Sequence, residues 1–171
     1  MIGAKRTMKI VPKIKTERVV LRGIIELDTD FIVAWRGNPN VYPYFRFPHV
    51  LTKKEHLQWF YSRYCLDYNR YDWMAIEKQT EKPIGLFGLH KNQEEPEEIE
   101  INYLLAEEAQ GKGYAKEVVE ELIKWAKKQW NAKMIFAEIH CKNNASLNFI
   151  EKMKFTKDRA VGEFFIYKRV V

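Results

Sequence analysis

A stripe of apolar side chains at Ala115, Val119, Leu122, Ile123, Ala126 and Trp130, opposed by lysines and glutamates, constrains this chain more than any other feature. Its spacing is that of a helix with one buried face, and such a face needs an apolar surface to cover. The stretch before it alternates instead: Ile99, Ile101, Tyr103 and Leu105 share one side of a strand, and Glu100, Asn102 and Leu104 share the other. After the helix, residues 134–139, apolar apart from Glu138, read as a buried strand. Strand, helix, strand in this order implies a parallel crossover, so the helix must lie across a sheet.

The remaining segments extend that sheet. Residues 18–22 read as a first strand, and Asp28 or Thr29 caps a short helix through Phe31, Ala34 and Trp35 that ends before Pro39. An aromatic loop follows, Tyr42-Pro43-Tyr44-Phe45-Arg46-Phe47-Pro48, whose prolines discourage a helix. Thr52 and Glu55 form a capping box that opens a second helix, with Leu57, Phe60, Tyr61 and Tyr64 expected on its buried face. Residues 73–77 and 83–90 suit a hairpin; residues 144–153 suit a helix and residues 164–171 a closing strand. These elements predict an α/β (α+β) fold with a mixed sheet and helices on both faces. No repeat or linker divides residues 1–171, which are expected to form a single domain with residues 1–16 loosely held.

Composition excludes several classes. With 46% hydrophobic and 14% aromatic residues, the chain can build a core and is not disordered. Cys65 and Cys141 are too few for a disulfide framework and lack metal-ligand spacing, so no metal is expected. The net charge of +6 suits an anionic partner, but basic and acidic residues interleave and no basic tail marks a nucleic-acid binder. No stretch approaches the roughly 20 apolar residues of a membrane span, and no signal peptide is evident, so a cytoplasmic location is expected.

Chemistry concentrates at Gln110-Gly111-Lys112-Gly113-Tyr114-Ala115, between the alternating strand and the long helix. Two glycines let backbone approach a ligand closely, and a helix N-terminus offers unpaired N–H groups with partial positive charge, a setting for a diphosphate. Taken alone, the turn serves equally well as an ordinary strand-to-helix connection. It is neither a P-loop nor a dinucleotide fingerprint.

Gln110-x-x-Gly113-x-Ala115 resembles the Q/R-x-x-G-x-G/A signature of the GCN5-related N-acetyltransferase (GNAT) superfamily, and residues 143–155, Asn-Asn-Ala-Ser-Leu-Asn-Phe-Ile-Glu-Lys-Met-Lys-Phe, resemble its N-x-x-S…E-K-x-x-F helix. The resemblance runs from Arg18 to about Phe155 and favours the RimJ/RimL branch. It implies a GNAT-like domain whose mostly antiparallel sheet splays near its middle, and acetyl-CoA as co-substrate. Its pyrophosphate would rest on Gln110, Gly111, Lys112, Gly113, Tyr114 and Ala115, its pantetheine would pair with Tyr103, Leu104 and Leu105, and Asn143 and Ser146 would complete the site. Glu100 is the expected general base, ahead of Glu98 and His90, acting directly or through water; a carboxylate on the wet face of a strand is the plainer account of it. Many relatives carry a tyrosine where this chain has Ile150, which leaves the general acid unassigned. Cys141 has no activating neighbour in the sequence and is expected to be inert.

The acceptor implied is a small-molecule amine. Residues 34–41 and 52–60 resemble the opening of bacterial amino-sugar acetyltransferases of the pseudaminic acid pathway type, which points to a sugar nucleotide held by Arg36, Tyr44, Phe45, Arg46 and Phe47. Alternatives are a protein or peptide α-amine, a polyamine or aminoglycoside, and a non-catalytic acetyl-CoA-binding module. A monomer or a homodimer is equally compatible with the sequence.

Overall fold

The computed structural model describes residues 9–171. Its strands are β1 (Ile14–Lys15), β2 (Val19–Gly23), β3 (Arg70–Glu77), β4 (Pro83–Lys91), β5 (Glu98–Leu105), β6 (Met134–His140), β7 (Thr156–Val161) and β8 (Phe164–Val170). They form one eight-stranded sheet in the order β1-β2-β3-β4-β5-β6-β8-β7. Every neighbouring pair is antiparallel except β5 and β6, the pair the long helix connects. This is the mixed, mostly antiparallel sheet expected of the fold.

Helices α1 (Thr29–Arg36) and α2 (Lys53–Ser62) cover one face, and α3 (Tyr114–Trp130) and α4 (Asn144–Lys152) cover the other. On the second face Val118, Val119, Leu122 and Ala126 of α3 are fully buried against Leu21, Trp73, Leu89, Ile99 and Ile135. Each such Val or Leu contributes about 1.5–3 kcal/mol relative to exposure, which is why this helix dictates the layer beneath it. Asn131, at φ 53°, ends α3 in the left-handed region that asparagine tolerates better than most residues.

Two expectations need correction, and one strand was not expected. Residues 9–16 are not loosely held: Ile14 is buried, the Trp73 indole N–H donates to the Pro12 carbonyl at 2.7 Å, and the Lys9 ammonium lies 3.5 Å from the Tyr64 ring centroid while bonding the Asp67 carbonyl. The remainder of that segment, residues 1–8, lies outside the described residues. Tyr61 is 48% exposed and bonds Glu26, because α2 presents His56 and Phe60, one turn apart, to the sheet. Finally, β7 forms an edge strand from residues with no apolar alternation, every one of them exposed and paired only through β8.

Candidate active site

β5 and β6 stay together for only three residue pairs, Glu98 with Met134, Ile99 with Ile135 and Glu100 with Phe136. β5 nevertheless runs on beside β4 as far as Leu105, opposite Gly85. From Ile101 onward the β6-side edge of β5 is therefore open, a row of backbone donors and acceptors offered to an extended ligand. A cleft of about 580 Å³ occupies this splay. Tyr103, Leu104 and Leu105 line it from β5, Gln110, Gly111 and Ala115 from the glycine turn, Asn143 and Ser146 from the start of α4, and Trp35 and Tyr44 from the far side.

The turn is shaped by two positive backbone angles, φ 72° at Gly111 and φ 84° at Gly113. Gly113 is the N-cap of α3, and no side chain caps that end. The first-turn amides keep their partial positive charge and face outward. A Cβ placed on Gly111 would meet nothing within 4 Å, so the space above the turn is open. Arg18 braces it from behind: its guanidinium donates to the Lys112 carbonyl at 2.9 Å and to Glu117 at 2.7 Å, and stacks 4.5 Å from the Tyr114 ring centroid. Tyr114 is buried and its hydroxyl donates to Glu77, so this residue can serve a ligand only through its backbone. Lys112 and Gly113 likewise stand outside the cleft lining, whereas Lys142, which sequence reasoning passed over, contributes to it. An uncapped amide turn beneath open space fits a diphosphate.

Asn143 is both cap and wall. Its Oδ1 accepts from the Ser146 N–H at 3.2 Å, fixing the start of α4. The Ser146 hydroxyl lies 2.7 Å from the Tyr103 hydroxyl, and the Tyr103 ring meets Phe149 edge-on at 5.0 Å. Burial pushes the Tyr103 phenol up to about 12, so it keeps its proton at neutral pH. Ile150, at the position where many relatives have tyrosine, is fully buried in the core and cannot reach a ligand.

Glu100 sits at the apex of the splay, on the opposite side of β5 from Tyr103. Its carboxylate is about one-third exposed and stands 3.8 Å from His90 Nδ1; His90 Nε2 stands 3.8 Å from Asp67. Those separations are ion-pair distances, longer than hydrogen bonds. Glu98 is engaged by Lys168 at 3.0 Å, which leaves Glu100 the freer carboxylate of the two. The aromatic loop covers this side. Tyr44 packs on His140 with centroids 5.7 Å apart, Arg46 pairs with Glu138, and Arg36 lies 4.8 Å from the Phe45 centroid. Phe47 points away and is 78% exposed. Cys141 is a free, half-buried thiol. Among the described residues no cluster of three or more His, Cys, Asp or Glu could hold a metal ion, and no helix is long and apolar enough to cross a membrane.

Residues 18–156 match the family model of the acetyltransferase (GNAT) domain. The N-acetyltransferase p20 of Bacillus licheniformis, itself uncharacterized, is 26% identical over 152 residues, which span 87% of this chain and 85% of that protein. The spermidine N-acetyltransferase of Vibrio cholerae, solved with CoA and spermine, superposes with a TM-score of 0.74 at 20% identity over 88% of this chain and 93% of its own. FdhC, a nucleotide-linked sugar GNAT solved in its apo form, superposes with a TM-score of 0.77 at 20% identity over 94% and 91%. At such identities the two structures establish the fold alone. Together with the uncapped turn and the splayed strands, the family match identifies the chain as a member of the GNAT family, an acetyl-CoA-dependent acetyltransferase.

Proposed function

We propose that this enzyme transfers the acetyl group of acetyl-CoA to a primary amine by direct attack with both substrates bound, and that the amine belongs to a nucleotide-linked amino sugar. The observation that carries this reading is the cleft itself, which is lined by an uncapped amide turn, an open strand edge and the aromatic side chains of Trp35 and Tyr44.

Acetyl-CoA supplies a thioester carbonyl open to a neutral amine. The amides of residues 111–115, with Lys142 nearby, hold its pyrophosphate, and the edge of Tyr103, Leu104 and Leu105 pairs with its pantetheine arm; Asn143 and Ser146 form the opposing wall. Glu100 removes the proton from the acceptor ammonium, and His90 with Asp67 behind it lead that proton toward solvent. Tyr103 remains a hydrogen-bond donor beside the cleft and takes the place of the tyrosine missing at position 150.

FdhC, with its nucleotide-linked sugar, supports the acceptor class. The spermidine enzyme supports a polyamine instead. A polycation needs free carboxylates; Asp72 and Glu138 are already bound by Arg70 and Arg46, which leaves Glu100, the proposed base, and Glu107 of the cleft lining to receive it. Thiol release from acetyl-CoA, followed with a UDP-linked 4-amino sugar, spermidine and a peptide with a free α-amine, tests the proposal. Turnover is expected on the sugar nucleotide; turnover confined to spermidine or the peptide would replace that acceptor, and CoA binding without turnover on a broad amine panel would make the chain a binding module.

A further inference from the structure

Lys112 stands between two glycines of positive φ, 72° at Gly111 and 84° at Gly113. Glycine takes φ of either sign at little cost, so the peptide joining Lys112 to Gly113 has two accessible orientations. They differ in what they offer an anion. The peptide is trans, and in a trans peptide the C=O and N–H point in opposite directions. A carbonyl turned toward the open space would repel a phosphate that an N–H in its place would attract. The residues bracketing this peptide, Gly111 and Ala115, both line the cleft, so its orientation bears on what the cleft can hold.

One side chain selects the orientation. Arg18 Nη1 donates to the Lys112 carbonyl at 2.9 Å, which sends the Gly113 N–H away from the guanidinium. Among the described residues no carbonyl accepts from that N–H. The guanidinium is fixed on two further sides: its Nε donates to Glu117 Oε2 at 2.7 Å, and it packs 4.5 Å from the Tyr114 ring centroid. The Arg18 backbone N–H and the Thr16 hydroxyl both donate to Glu117 Oε1, which ties the corner before β2 to the first turn of α3. A Cβ on Gly113 would stand 3.4 Å from Arg18 Nη2, so a side chain there would crowd the clamp.

We propose that Arg18 is a positioning residue for acetyl-CoA: by holding the Lys112 carbonyl back, it keeps the Gly113 amide turned outward before the diphosphate arrives. This rests on the reading that the turn carries the diphosphate, and it names the residue that prepares the turn. A donor already aimed in the free protein loses no affinity to reorganisation on binding.

The test uses the full-length protein and two probes that share the diphosphate, CoA and dephospho-CoA, which lacks only the phosphate on its ribose. Calorimetry is expected to show both bound at least tenfold more weakly by Arg18→Gln. Arg18→Lys is expected to weaken both at least threefold, because a single ammonium cannot hold the carbonyl and Glu117 as the guanidinium does. In the ligand-free, isotope-labelled protein the Gly113 amide resonance is expected to shift or broaden in both variants, while that of Gly162, a left-handed glycine between β7 and β8, stays in place. Should Arg18→Gln fail to fold, Arg18→Lys carries the comparison. Weakening confined to CoA would make Arg18 a direct contact of the ribose phosphate. Unchanged affinity for both probes in a folded variant, or an unmoved Gly113 amide, would leave it a structural brace; each of these results overturns the proposal. If CoA binds wild type without moving the Gly111 and Gly113 amides, the diphosphate reading of the turn fails instead, and the ligand-free spectra still judge the hold of Arg18 on the peptide.

Discussion

The hydroxyls of Tyr103 and Ser146 lie 2.7 Å apart, tying β5 to α4 across the wall of the cleft. Because burial raises the Tyr103 pKa to about 12, this phenol is a proton holder rather than a base. If it donates to the departing thiolate, Tyr103→Phe lowers kcat by about 10²-fold while acetyl-CoA affinity changes less than threefold. Ser146→Ala has a smaller effect, since it removes an orienting partner and leaves the proton in place. Stopped-flow thiol release and CoA titration measure the two quantities separately. An equal loss of affinity and turnover in Tyr103→Phe would reduce the residue to a binding wall.

Glu100 is the last β5 residue paired with β6, so its position is set by the sheet while its carboxylate is set by nothing stronger than His90 at 3.8 Å. Glu100→Gln keeps the shape and removes the proposed base. Turnover near neutral pH is expected to fall about 10²–10⁴-fold, the usual range for a lost acid–base group, with acetyl-CoA binding preserved. Glu98→Gln, which breaks only the contact to Lys168, should leave turnover within a few-fold of wild type. The reverse ranking would move the base to Glu98.

The glycine turn separates backbone strain from ligand contact. Gly111 and Gly162 have positive φ, 72° and 58°, and a Cβ on either meets nothing within 4 Å of the protein. Substitution by alanine therefore carries the same backbone penalty at both sites, about 1–2 kcal/mol. Only at Gly111 does the new methyl project into the cleft. Gly111→Ala should weaken CoA binding several-fold more than Gly162→Ala, with similar drops in urea midpoint. Equal CoA affinity in the two variants would count against a diphosphate on this turn.

The fold was readable where burial imposes a period. Val119, Leu122 and Ala126 announce α3 because one side of that helix is dry, and the Ile99-Ile101 alternation announces β5 because only one of its faces meets α3. Thr52 and Glu55 mark the start of α2 because capping is local chemistry, and the reciprocal bonds form. β7 was not readable: an edge strand with both sides wet carries no period, and its pairing is dictated by β8. On one side of the cleft, the turn at Gly111 and Gly113 and the cap at Asn143 were legible, because their backbone requirements leave a trace in residue type. The other side was not, because the pairing of Glu138 with Arg46 brings together residues far apart in sequence, and forms only when β6 and the aromatic loop assemble.

His56 yields a pH prediction that needs no substrate. Its imidazole is buried without a hydrogen bond, and its folded-state pKa lies below the ordinary 6.5. As pH falls through 6.5, the unfolded chain takes up this proton and the folded chain does not, so protonation favours unfolding. The contribution of His56 to stability is full above pH 6.5 and declines below it, by at most about 1.4 kcal/mol per pH unit, until the folded-state pKa is passed. His56→Leu removes both the titration and two unsatisfied nitrogens at similar volume. Near pH 7.5 the variant should match or exceed wild-type stability by about 1 kcal/mol, and its advantage should widen at pH 5.5. Urea unfolding at the two pH values checks this directly: parallel behaviour of the two proteins would mean that His56 finds a proton partner in the folded state, and a less stable variant at both would mean that the imidazole is satisfied there.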